Sequence, residues 1–86
     1  MKQQNFKMYP VFRVDICFSG YAIDYALIGA ESLKDLFNHI HDIFSDTDID
    51  YGLGSVDDIT ESRIEEVKGL YTDKPYTVID RYSYYE

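Results

Sequence analysis

Three aspartates at alternate positions, Asp46, Asp48 and Asp50, followed by Asp57, carry the spacing of a calcium loop. An EF-hand loop takes side chains from positions 1, 3 and 5, needs Gly at position 6 for a sharp turn, and closes with a bidentate Glu at position 12. Counted from Asp46, the first three ligands are present, but Tyr51 stands where Gly is required and Gly52 comes one residue late. Asp57 at the closing position is a methylene shorter than Glu. A calcium-binding module is therefore the least favoured expectation, and no metal or cofactor is assigned.

Phosphate mimicry asks less of geometry. Carboxylates held in a row offer Lys and Arg what a nucleic-acid backbone offers them. In an extended loop Asp46, Asp48 and Asp50 would project to one side about 6.6–7 Å apart. Asp57, Asp58, Glu61, Glu65 and Glu66 would extend that surface. The charge is concentrated to match: from Asp42 to Glu66 nine acids meet one base, Arg63, and the seven remaining acids are balanced by seven bases. The whole net charge of −8 thus sits in this segment. Such an acidic pole disfavours nucleic acid as a direct ligand and an anionic membrane as a surface. It favours a protein partner with a basic, nucleic-acid-binding groove. The competing account is a solvated face that does no more than keep the chain soluble.

The other reactive side chains are poorly placed for catalysis. His39 and His41 are two residues apart on an expected helix and do not face each other. Asp35 and Asp42 are within ion-pair reach of His39, and no third strong metal ligand is placed beside them. Cys17 is the single thiol, without a spacing partner, which fits a reducing, cytoplasmic setting. No Walker A, GxGxxG, GxSxG or HExxH pattern occurs. No enzyme is expected. In the tyrosine-rich segment YTVIDRYSYYE, Tyr76, Tyr82 and Tyr84 are expected on one strand face. Tyrosine supplies contact area with few rotatable bonds and a polar tip, so this face is a second candidate partner surface, with core packing or a homodimer as its alternatives.

These residues need elements to hold them. Residues 10–28 alternate apolar and polar on both sides of Ser19-Gly20, the signature of a β-hairpin. The register that gathers the bulky residues pairs Phe18 with Tyr21, Ile16 with Ile23, Val14 with Tyr25 and Phe12 with Leu27. It also sets Asp15 opposite Asp24 on the other face, a repulsive pair softened by Arg13. Residues 32–45 switch to helical spacing, with Leu33, Leu36, Phe37, Ile40, Ile43 and Phe44 in one stripe. Ser32 is the expected N-cap and Asp35 its capping-box partner. Residues 46–61 read as an acidic loop. Residues 62–70 fit a short helix or a strand; the strand is preferred, because Thr72-Asp73-Lys74-Pro75 makes a good turn into a final strand. That C-terminal hairpin, 62–85, would pair Tyr71 with Tyr76 and Glu66 with Arg81.

The expected fold is thus α+β: a small two-layer ββαββ domain spanning residues 1–86, an antiparallel sheet with one helix on one face. The N-terminal MKQQNFKMYP lacks the apolar stretch of a secretory signal, and no run approaches the ~20 apolar residues of a membrane helix. In size, acidity and lack of a catalytic motif the chain resembles the small inhibitors that phages and mobile elements direct against host nucleases, the anti-restriction and anti-CRISPR proteins. That likeness of type implies a DNA-mimicking inhibitor. The alternative is a structural or regulatory interaction domain working through a Tyr-rich edge strand.

Overall fold

Phe12 and Val14 alternate along a strand and are buried on one side of it, and Ile16, just past its end, continues the buried pattern. In the computed structural model, which describes residues 7–17, 22–49 and 55–85, that strand is β1 (Tyr9–Asp15). It pairs antiparallel with β2 (Ala22–Gly29). β3 (Ile64–Thr72) adds to the outside of β1, and β4 (Val78–Tyr85) to the outside of β2. The sheet order is therefore β3-β1-β2-β4. Two short helices, α1 (Leu33–Asn38) and α2 (Ile40–Ile43), bring Leu36, Ile40 and the following Phe44 onto one face of the sheet. This is the expected α+β, two-layer architecture. No helix among the described residues is long and apolar enough to cross a membrane.

The inner hairpin forms, but its register is one residue away from the expected one. Phe12 lies opposite Ile28 and Val14 opposite Ala26, so β2 turns Ala26 and Ile28 inward and Ile23, Tyr25 and Leu27 outward. The cause is that β2 is apolar in both phases, and the phase with small residues lets the helices approach. The Phe18–Tyr21 pair falls outside the described residues. Asp15 is consequently opposite Tyr25, while Asp24 faces the helical layer. The expected Asp15–Asp24 repulsion does not arise.

The helical stretch starts where expected, with the backbone N–H of Asp35 donating to Ser32 Oγ at 3.1 Å. It breaks at His39 (φ −103°, ψ 3°), which separates α1 from α2. Residues 64–72 are a strand, as preferred. The C-terminal hairpin is not formed, because β3 and β4 occupy opposite edges of the sheet. Tyr71 is opposite Pro10 and Glu66 opposite Phe12, whereas Arg81 is opposite Ala26. Thr72-Asp73-Lys74-Pro75 begins a crossing over the end of the inner hairpin rather than a turn. Pro75 bridges to Gly29, and the N–H of Tyr76 donates to the Gly29 carbonyl at 2.9 Å. The crossing passes close to the hairpin, since a Cβ on Gly29 would stand 2.2 Å from Thr72 Cγ2.

Candidate functional site: an acidic rim and a tyrosine face

On both sides of residues 50–54 the acidic segment forms defined turns. Ser45 and Ser55 each open a 3-10 turn, Asp46–Asp48 and Val56–Asp58, and each is followed three residues later by an aspartate that folds back. Asp48 Oδ2 accepts from the Ser45 N–H at 2.8 Å, and Asp58 Oδ2 from the Ser55 N–H at 3.1 Å. These are capping boxes, which satisfy N–H groups that an isolated turn leaves open. The two turns are tied together, because Asp46 Oδ1 accepts from the Val56 N–H at 2.8 Å. Ile49, Val56 and Ile59 anchor the segment in the core. The Ser45 backbone and side-chain donors hold the Asp48 carboxyl below the ordinary carboxylate range.

This construction corrects the extended row. Asp46 and Asp48 share one 3-10 turn, so they do not project side by side as strand residues would, and Asp50 lies outside the described residues. Asp46, Asp48 and Asp58 spend carboxylate oxygens on the backbone of the segment itself. The remaining carboxylates point elsewhere. Asp57, its side chain 79% exposed, sits 2.9 Å from His41 Nε2. Glu61, in a third 3-10 turn Glu61–Arg63, lies 3.7 Å from Lys34. Glu65 is opposite Arg13 and Glu66 opposite Phe12, both exposed at the start of β3. A groove of about 290 Å³ runs beside the rim, lined by Phe37, Ile40, His41, Val56, Asp57 and Ile59 among others. Among the described residues no three His, Cys, Asp or Glu side chains are gathered for a metal ion.

The opposite face of the sheet is aromatic. Tyr82 and Tyr84 lie there as expected, opposite Tyr25 and Ile23 of β2. The Tyr25 and Tyr82 rings stack at 5.4 Å and 24°. The Arg13 guanidinium covers the other side of Tyr25 at 4.0 Å and is fixed by Asp15 at 2.9 Å. Tyr82, Tyr84 and Ile23 are each about half exposed, in a grouping of Tyr and Arg that resembles interface hot spots.

Tyr76 departs from this set. It precedes β4, adopts the left-handed region (φ 61°), and turns its ring to the helix side. There it stacks on His39 at 4.3 Å, and its hydroxyl donates to Asp35 Oδ2 at 2.5 Å. That hydrogen bond raises the Tyr76 phenol to about 12 and lowers the Asp35 carboxyl. His39 Nδ1 meets the Asp35 carbonyl at 2.8 Å. A phenol that holds its proton this firmly stays a hydrogen-bond donor to Asp35. The cluster is a latch that holds the crossing against α1.

Arg81 joins the two surfaces. Its Nε and Nη2 donate to Asp24 at 2.9 and 2.7 Å, and Nη2 reaches the Asp48 carbonyl at 3.2 Å. Ser83 Oγ adds a bond to Asp24 Oδ1 at 3.0 Å. Asp24, only 2% exposed, is therefore satisfied by two side chains of β4. Sequence reasoning set Arg81 against Glu66 and Asp24 against Asp15 with Arg13 nearby, because nothing local links residues 57 positions apart. The capping of the acidic segment did have a local signal, the Ser-x-x-Asp spacing repeated at Ser45 and Ser55. Comparison with known proteins finds no matching family model, and no match among curated proteins or solved structures.

Proposed function

We propose that the chain is a non-enzymatic, acidic protein-binding module whose rim engages the basic, nucleic-acid-binding groove of a partner. What supports this is one observation above all: within the segment that carries the entire net charge, Asp46, Asp48, Asp57 and Asp58 lie in two capped 3-10 turns that Ile49, Val56 and Ile59 anchor in the core. A segment serving only solubility needs no such scaffold. Fixed carboxylates meet Lys and Arg without first giving up loop entropy, which raises both association rate and selectivity for a cationic groove. The carboxylates assigned to contact are Asp57, Glu61, Glu65 and Glu66. Asp46, Asp48 and Asp58 position the rim. In this reading the protein works as an inhibitor of a nuclease or defence protein, of the kind phages and mobile elements encode.

The test is capture from a bacterial lysate on the immobilised chain at low salt, followed by elution with duplex DNA. A DNA-binding protein that is displaced by DNA and by rising salt, and is lost with a D57N/E61Q/E65Q/E66Q variant, supports the proposal. Retention that is indifferent to both DNA and salt excludes it.

A further inference from the structure

The two edges of the sheet differ sharply. β3 is guarded: it carries Glu65, Glu66 and Lys68, and between Pro10 and Val11 it holds three more residues than its partner, with Gly69 at φ +83°. Charge and bulging of this kind keep an edge from pairing further. β4 has one irregularity, near Val78, and then runs in unbroken register from Asp80 to Tyr85. It has no net charge, and Val78, Ile79, Tyr82 and Tyr84 are exposed. Among the described strands β4 is an edge, and the hydrogen-bonding phase of its outer side is also fixed. Ile16 N–H donates to the Asp24 carbonyl, so Asp24 points to β1 and Tyr25 to β4; Tyr82 then faces inward and Arg81 and Ser83 face the open edge. Consistent with this, the Arg81 N–H is held by its neighbour Asp80 Oδ1 at 2.9 Å, a side chain in place of a strand.

We propose that two copies of this chain pair antiparallel through β4, with the two-fold axis at Tyr82, to make one eight-stranded sheet. The charges choose the register. An axis at Asp80 or Arg81 sets like charges opposite each other, which destabilises a sheet. An axis at Tyr82 sets Asp80 against Tyr84 and Arg81 against Ser83. The outward-facing Arg81 and Ser83 then exchange backbone hydrogen bonds, the Arg81 N–H giving up Asp80 Oδ1 for the partner strand, and the two Tyr82 residues form a close, non-hydrogen-bonded pair with Cα atoms about 4.5 Å apart. The stacked Tyr25–Tyr82 pair becomes a row of four rings across the axis. A second copy is the fitting occupant because β4 complements itself about this axis: the strand has no net charge, Arg81 meets Ser83 and Tyr82 meets Tyr82, while the −8 of each chain lies in residues 42–66. The dimer rests on the strand edges and not on the acidic rim, so its salt dependence has the opposite sign from rim binding.

Light scattering after size exclusion, across a concentration series at low and high salt, reads the mass. The expected result is a dimer that strengthens severalfold as salt rises. A Tyr82→Cys variant is expected to form a disulfide-linked dimer under mild oxidation, whereas a Glu66→Cys variant on β3 is not. Tyr82→Lys, checked for folding by circular dichroism, is expected to be monomeric, and Tyr82→Phe dimeric. A chain that stays monomeric at all concentrations, that accepts only an unrelated extended peptide on this edge, or that crosslinks through Glu66→Cys instead overturns the proposal.

Discussion

Arg81 holds the buried Asp24 through two parallel N–H···O contacts, 2.9 and 2.7 Å, from a strand that joins the sheet last in sequence. A carboxylate at 2% exposure tolerates this position only while its partner is present. Arg81→Met is expected to cost about 3 kcal/mol. The D24N/R81M double variant is expected to recover most of that loss, because it leaves no buried charge. Urea denaturation of the three proteins checks this; equal destabilisation of the single and double variants would show that Arg81 acts through packing instead.

The Tyr76–Asp35 hydrogen bond gives stability a dependence on pH at both extremes. Asp35 is held below its ordinary value, so its contribution is present above about pH 4 and is lost as pH falls further. Tyr76 is raised to about 12, so its contribution is present below about pH 10 and fades between about 10 and 12, where the unfolded chain ionises first. Tyr76→Phe is expected to cost about 1 kcal/mol at neutral pH and to flatten both limbs of the melting temperature against pH. An unchanged alkaline limb would rule out the latch.

Gly29 sits under the crossing between the outer strands. Gly29→Ala drives a methyl to within 2.2 Å of Thr72 Cγ2, an overlap expected to cost about 1–3 kcal/mol. Thr72→Ser in that background removes the opposing methyl while keeping the hydroxyl that accepts from the Lys74 N–H at 3.1 Å. Partial recovery of the denaturation midpoint is the expected outcome. No recovery would place the strain on the Tyr9 or Lys74 side of the glycine.

The capped turns of the acidic rim predict a local effect. Ser55→Ala removes the Oγ that accepts from the Asp57 N–H at 3.2 Å, a cap worth about 1 kcal/mol, and Ser45→Ala removes the hydroxyl that donates to Asp48 Oδ2 at 3.0 Å. Ile49 and Ile59 donate the closing hydrogen bonds of these two turns, at 3.2 and 3.0 Å. Their amides are expected to exchange faster with deuterium in the respective variants, with β1 and β2 unaffected. Acceleration spread evenly over the chain would mean that the rim unfolds only with the whole domain.

Much of this fold is written locally. The alternation of Phe12, Val14 and Ile16, the helical stripe ending at Phe44, and Ser32 as N-cap all appear as the periodicities require. What was not legible is which strand lies beside which. Thr72-Asp73-Lys74-Pro75 has turn chemistry in either topology; the choice was made by Tyr76, whose docking on His39 and Asp35 depends on a helix 37 or more positions away in sequence. Register failed for a related reason. Ala-Ile-Asp-Tyr-Ala-Leu-Ile is apolar on both phases, so bulk favoured one alignment and the need for close helix contact, together with Arg81 as a mate for Asp24, imposed the other. For the candidate surfaces, charge counting located the rim, but only the turns revealed which carboxylates are committed to the backbone.

The strand order carries a kinetic consequence. Both outer strands are laid down after the inner hairpin, and neither pairs with its neighbour in sequence. A chain emerging from synthesis through β3 therefore has three strands and a helical layer to assemble, with Asp24 facing that layer before Arg81 exists. Until β4 is made, β2 is an edge strand and the Asp24 carboxylate lacks the Arg81 and Ser83 donors that satisfy it in the complete sheet. The last strand to be made is thus the one that supplies both donors to Asp24.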